Sequence, residues 1–176
     1  QMISLVTENL KVSEEEIELL TGYTDVRKAA ESITEYGAKI VLITLGEKGS
    51  FVYLQDQQEA YVSGYSSKVV DTTGAGDSFM GGFLYKICES GKRIEEYSLQ
   101  EMIECVRFGN AVASLCVERE GAIPAMPVME EAISISSWLK TQSKKDLCQT
   151  SSVPITMHPV GFFNPFIPFP AFSQNM

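Results

Sequence analysis

Apolar positions along the chain alternate between helical and strand-like spacing. Leu10–Val12 reads as a short strand. Ser13-Glu14-Glu15-Glu16 follows, ahead of Ile17, Leu19 and Leu20, which predicts a helix with a capping box: Ser13 as N-cap and Glu16 at N3. Gly22 ends that helix, and Asp25 to about Tyr36 forms a second, with Val26, Ala29, Ala30 and Ile33 on one face and Gly37 as its stop. Lys39–Thr44 is a continuous apolar, mostly β-branched run, the pattern of a strand buried on both faces. A glycine turn, Leu45–Gly49, leads to a strand at Ser50–Leu54, and Gln55–Glu59 is a polar turn. Ala60–Val62 and Lys68–Val70 read as further strand pieces. Leu99, Met102, Ile103, Val106 and Ala113 recur at helical spacing, so a long helix is predicted from Ser98 to about Val117. Helices alternating with strands argue for an α/β fold with a parallel sheet.

The stretch Val70-Asp71-Thr72-Thr73-Gly74-Ala75-Gly76-Asp77-Ser78-Phe79-Met80-Gly81-Gly82 organises this pattern. Asp71-Thr72-Thr73 are turn and capping types. Gly74-Ala75-Gly76 carries almost no side chain, so backbone N–H groups can approach a ligand closely. Asp77 then opens a helix running to about Glu89. A helix start with free N–H groups and a positive dipole end favours an anion. This implies phosphoryl chemistry: the Gly74–Gly76 amides hold developing negative charge, and Asp77 takes a proton from an attacking hydroxyl. A bare glycine turn before a capped helix would mean nothing more than that; the full run, with strand before and helix after, favours the site. There is no G-x-x-x-x-G-K-[ST], and Gly74-Ala75-Gly76 lacks the third glycine of a dinucleotide fingerprint. Gly81 and Gly82 inside the helix point to close packing on the sheet or a nucleotide.

This stretch resembles the C-terminal signature of the PfkB (ribokinase-like) carbohydrate kinases, and the resemblance runs from about Lys11 to Pro127, with the nearest likeness to bacterial fructokinases. It implies a ribokinase-like layered α/β/α fold with a mainly parallel central sheet, and an ATP-dependent sugar kinase. Asp77 is then the base, with Gly74, Ala75 and Gly76 as the anion hole. Thr44, Gly46 and Gly49 match a T-x-G-x-x-G beside the nucleotide phosphates and ribose. Asn110 matches an asparagine bordering adenine. Glu16 matches the glutamate of an N-x-x-E that helps hold Mg²⁺ through water, while Ser13 departs from its asparagine. Arg119-Glu120-Gly121-Ala122-Ile123-Pro124 resembles the loop closing over adenine. Gly121, Asp71 and Thr73 match ligands of a monovalent cation such as K⁺, although Ala125 stands where some relatives have serine.

The resemblance covers about the second half of such a kinase, residues 1–136 here; the early strands, most sugar contacts and the lid are not matched. The chain alone is therefore expected to be weakly active or inactive, and a homodimer through the lid is expected only of a full-length parent. Residues 137–176 change character: Leu147–Met176 has no Asp, Glu, Lys or Arg, and five prolines interleave with phenylalanines, which disfavours helix and sheet. This tail holds His158, the one histidine, which removes it as a catalytic candidate. A net charge of −9 over 176 residues argues against nucleic acid or an anionic membrane as partner, but not against a nucleotide. Cys88, Cys105, Cys116 and Cys148 show no metal spacing and read as free thiols. No leader pattern or spanning apolar run is present, so the expected location is cytoplasmic. A nucleoside or phosphosugar kinase, or a non-catalytic nucleotide-binding protein, would share these motifs.

Overall fold

The computed structural model describes residues 9–134. The tail expected to be irregular, 137–176, lies outside them. Four strands, β1 (Asn9–Ser13), β2 (Ile40–Thr44), β3 (Gly49–Leu54) and β4 (Glu59–Ser63), form one sheet in the order β1-β2-β3-β4. Helices α1 (Glu14–Thr21) and α2 (Val26–Glu35) join β1 to β2; α3 (Ala75–Ser90) and α4 (Leu99–Cys116) follow β4. β1 and β2 are parallel, as their helical crossover requires. β2–β3 and β3–β4 are antiparallel, because turns too short for a crossover join them. Among the described strands, the parallel arrangement predicted for the sheet thus holds for β1–β2, and the sheet is mixed.

β2 alternates its burial between two cores. Val41 and Ile43 pack with Ile17, Ala29, Ala30 and Ile33 of α1 and α2. Ile40 and Leu42 pack with Phe79 and Phe83 of α3 and Met102 and Val106 of α4. Helices therefore cover both faces, giving the layered α/β/α arrangement expected. Each fully buried aliphatic or aromatic side chain contributes about 1.5–3 kcal/mol, so β2 is the mechanical centre of the sheet.

The strand expected at Lys68–Val70 does not form. Val69 and Val70 are exposed, and the Val70 and Asp71 amides donate to a single carbonyl, Val117 O, at 2.8 and 3.2 Å rather than to a ladder. A β-branched run has the local preference of a strand, but no neighbouring strand among the described residues offers it a register.

The glycine pair in α3 divides its roles. A Cβ on Gly82 would lie 2.9 Å from Val112 Cγ2 and 3.2 Å from Gly109 Cα, so the close packing is against α4, not against the sheet or a nucleotide. A Cβ on Gly109 would lie 2.8 Å from Phe79 O. Gly82 and Gly109 together let α3 and α4 approach closely. Gly81 faces open space. Gly109→Ala is predicted to destabilise the chain by about 1–3 kcal/mol, because a backbone oxygen cannot yield cheaply. Gly81→Ala is predicted to stabilise it by about 1 kcal/mol through helix propensity alone. Urea unfolding of both variants checks the contrast; equal effects would contradict the proposed crossing.

Candidate active site

The carboxyl ends of β1 and β2, the β2–β3 turn and the start of α3 converge on one side of the molecule. Ligands of open α/β sheets bind beyond the carboxyl ends of the strands. Gly74 is the N-cap of α3 with φ 82°, a left-handed conformation that favours glycine. A Cβ there would also lie 3.1 Å from Ala122 Cα. Ala75 N–H donates to Thr72 O at 3.2 Å, and Ser78 N–H to Gly74 O at 2.9 Å. The amides of Gly74, Gly76 and Asp77 have no acceptor among the described residues. The structure thus leaves two of the three expected anion-hole amides free, commits Ala75 to the turn, and adds that of Asp77. The Asp77 carboxylate is exposed on this first turn, with no hydrogen-bond or ion-pair partner among the described residues.

Asp71 fixes the approach to this turn. Its Oδ1 accepts from Thr73 N–H at 2.9 Å and from Thr73 Oγ1–H at 2.7 Å; its Oδ2 accepts from Gly121 N–H at 2.9 Å. The structure therefore joins Asp71, Thr73 and Gly121, three residues 50 positions apart at the extremes. Bonds from Thr73, then from Gly121, hold the Asp71 carboxyl below its ordinary value. The 119–122 loop is tied further by Arg119, whose guanidinium makes a two-pronged pair with Glu131 at 3.1 and 2.5 Å.

Glu16 Oε2 accepts from both Ser13 N–H and Ser13 Oγ–H, at 2.7 and 2.8 Å. These bonds, with the positive charge of Lys11 as a smaller cause, hold the Glu16 carboxyl below its ordinary value. Serine thus orients the glutamate where the resemblance leads one to expect asparagine. Glu16 Oε1 has no protein partner among the described residues. Those residues contain no group of three or more His, Cys, Asp or Glu side chains suited to a metal.

Thr44 closes β2 and donates from Oγ1 to Val12 O at 3.4 Å. Lys48 in the following turn pairs with Glu14 at 3.6 Å, drawing the turn to the start of α1. Gly46 has φ 59° and open space around it. Gly49 has a structural reason of its own: a Cβ would lie 2.1 Å from Val62 O. Asn110 is buried and engaged on every side. Its Oδ1 accepts from Ser50 Oγ–H at 2.5 Å, and its Nδ2 donates to Val62 O at 3.1 Å and Ser63 O at 3.2 Å. It ties α4 to β3 and β4, with both Nδ2 hydrogens and one bond to Oδ1 committed to the protein.

The residue patterns did not single out Lys11. Its ammonium lies against the first turn of α3: a Cβ on Gly76 would be 2.8 Å from Lys11 Nζ. The available signal was a lysine in phase with the face of β1 opposite Leu10 and Val12.

The described residues thus combine an α/β scaffold, open helix-start amides, a carboxylate on the same turn and a glutamate oriented by Ser13. Residues 2–129 match the pfkB family of carbohydrate kinases, and the chain belongs to that family. Fructokinase-2 of Solanum lycopersicum is 39% identical over 127 residues, covering 72% of this chain and 38% of that protein. The chain therefore spans well under half the length of that curated relative. Among solved structures, a fructokinase of Vibrio cholerae O395 with fructose, ADP and calcium ion bound is similar at a TM-score of 0.65 and 30% identity, over 76% of this chain and 42% of that one. Ribokinase of Thermotoga maritima is similar at 0.64 and 35% identity, over 74% and 42%. Among the described residues, no helix is long and apolar enough to cross a membrane.

The Asp71 bracket is testable through pH. Because its folded value is depressed, its bonds persist above the ordinary 3.8 and are lost as pH falls below it. The Gly121 and Thr73 amide resonances are predicted to shift together in that acidic window, and Asp71→Asn to abolish the shared titration. Independent titrations would contradict the bracket.

Proposed function

We propose that the chain carries the nucleotide- and phosphoryl-binding part of an ATP-dependent carbohydrate kinase, with fructose as the favoured acceptor. The observation that carries this reading is the free Gly76 and Asp77 amides on the same helical turn as the unpartnered Asp77 carboxylate. Asp77 accepts the proton of the attacking sugar hydroxyl as its oxygen bonds to the γ-phosphorus of ATP. The bond from that phosphorus to the β,γ-bridging oxygen breaks, giving the sugar phosphate and ADP. The Gly74, Gly76 and Asp77 N–H groups point fixed partial positive charge at the transferring group, with no reorganisation during the reaction. Glu16, held ionised by Ser13, orients water around Mg²⁺, which when bound would offset phosphate charge. The Thr44–Gly49 turn borders the phosphates and ribose. Asn110 supports the adenine side by fixing β4 on α4. Asp71, Thr73 and Gly121 would hold a monovalent cation such as K⁺ beside the anion hole, and the same bracket positions the adenine loop. Fructose is favoured by the fructokinase relatives; the residues that would choose the sugar lie in the part of those relatives that this chain does not span.

The shared length supports a second reading for the chain taken alone: a nucleotide-binding segment that turns over slowly without the remainder of a kinase. The test is ATP turnover with a panel of sugars, in the presence of Mg²⁺ and K⁺. Asp77→Asn is predicted to lower kcat by about 10²–10⁴-fold in any form that turns over, with ATP affinity nearly unchanged. Turnover unaffected by Asp77→Asn would overturn the role of the base.

A further inference from the structure

We propose that Lys11 is a phosphate-binding residue of this site, placing its ammonium on the terminal phosphoryl group so that the site distinguishes ATP from ADP. The inference rests on the kinase reading above and adds a residue to it. Three observations carry it. The first is position. β1 pairs residue by residue with β2, and Lys11 stands opposite Leu42. Leu42 is fully buried against α3 and α4, whereas Leu10 and Val12 of β1 turn to the α1–α2 side. Strand alternation therefore sends Lys11 to the face that α3 covers, where its neighbours on β2 are Ile40 and Leu42. A lysine on an apolar face breaks the local pattern, and such breaks mark functional positions.

The second observation is the contact. Nζ would meet a Cβ on Gly76 at 2.8 Å, so the lack of a side chain at Gly76 is what admits the ammonium to the turn. The free Gly76 amide and the ammonium are then neighbours, and both are donors without acceptor capacity. Two neighbouring donors without a protein acceptor suit an anion beside them. The third observation is charge. No carboxylate of the described residues lies within ion-pair distance of Lys11 Nζ. Glu16 feels its charge only as a secondary influence, behind the bonds from Ser13. A half-buried cation without a carboxylate partner, held against a helix start, fits a multiply charged oxyanion. A lysine acts there as a point charge on a flexible stem and can follow the phosphoryl group.

The position also selects which phosphate. Gly76 lies on the turn that carries Asp77, which faces the group being transferred. Lys11 therefore senses the phosphate that is present in ATP and gone from ADP. The chain is titrated calorimetrically with ATP and with ADP, as the unaltered sequence, as Lys11→Met and as Lys11→Arg. The expected result is tighter binding of ATP than ADP by the unaltered chain. Lys11→Met loses about tenfold or more for ATP and stays within about twofold for ADP, and Lys11→Arg recovers most of the loss. A second measurement needs no variant. With lysines carrying ¹³C-methyl labels, the Lys11 resonance shifts on adding ATP and much less on adding ADP. Lys11→Met with the ATP-to-ADP ratio of the unaltered chain, or a Lys11 resonance indifferent to ATP, would overturn the role of the lysine while leaving the kinase reading intact. Failure of the unaltered chain to bind either nucleotide would overturn both.

Discussion

A backbone amide can stabilise a transferred phosphoryl group only if nothing in the protein already claims it. The first turn of α3 meets that condition because its approach is built from other bonds. Asp71 draws in Thr73 and Gly121, Ala75 closes on Thr72, and the Val117 carbonyl takes the Val70 and Asp71 amides. These bonds use up the turn's flexibility and leave Gly74, Gly76 and Asp77 as open donors. Their direction is then set by α3 itself, which the Gly82–Gly109 contact with α4 holds close. α4 is in turn tied to β3 and β4 through Asn110. Buried bonds of this kind are expensive to leave unmade, so the chain of support is stiff. Rigidity at the start of α3 is therefore a property of the whole α3–α4 layer.

The same layer sets the local electrostatics of an acidic chain. The chain carries nine net negative charges, yet the donors at the site are local. Helix-start amides supply partial positive charge without any residue, and Lys11 adds a full one at the point where β1 and α3 meet. The Glu16 carboxyl, which feels the charge of Lys11, is occupied on one oxygen by Ser13.

Much of this was legible in the sequence. The apolar spacing placed β1 to β4 and α1 to α4 within one or two residues, because each buries a face whose period matches its backbone. The Gly74-Ala75-Gly76 run announced the open helix start through its near lack of side chains. Four features escaped, wholly or in part, for physical reasons. Val69 and Val70 have strand character, but a strand needs a partner, and pairing is a property of topology. Gly82 was read as meeting the sheet or a ligand, whereas its neighbour is Gly109, 27 positions along, whose part in a helix crossing only the packing reveals. Asn110 was legible as a helical asparagine near adenine; its three bonds to Ser50, Val62 and Ser63 depend on hairpin register. Lys11 was visible as a break in the alternation of β1, but its meaning required knowing that α3 covers that face.

The central claim is that the amides at the start of α3 receive the phosphates of ATP. The most direct measurement is amide-resolved NMR of the chain titrated with ATP. The account predicts the largest shifts at Gly74, Gly76 and Asp77, accompanied by Gly121 and Ala122, with the Ala75 amide less affected because Thr72 already holds it. ATP binding with those amides unmoved, and the shifts collected elsewhere on the surface, would contradict it.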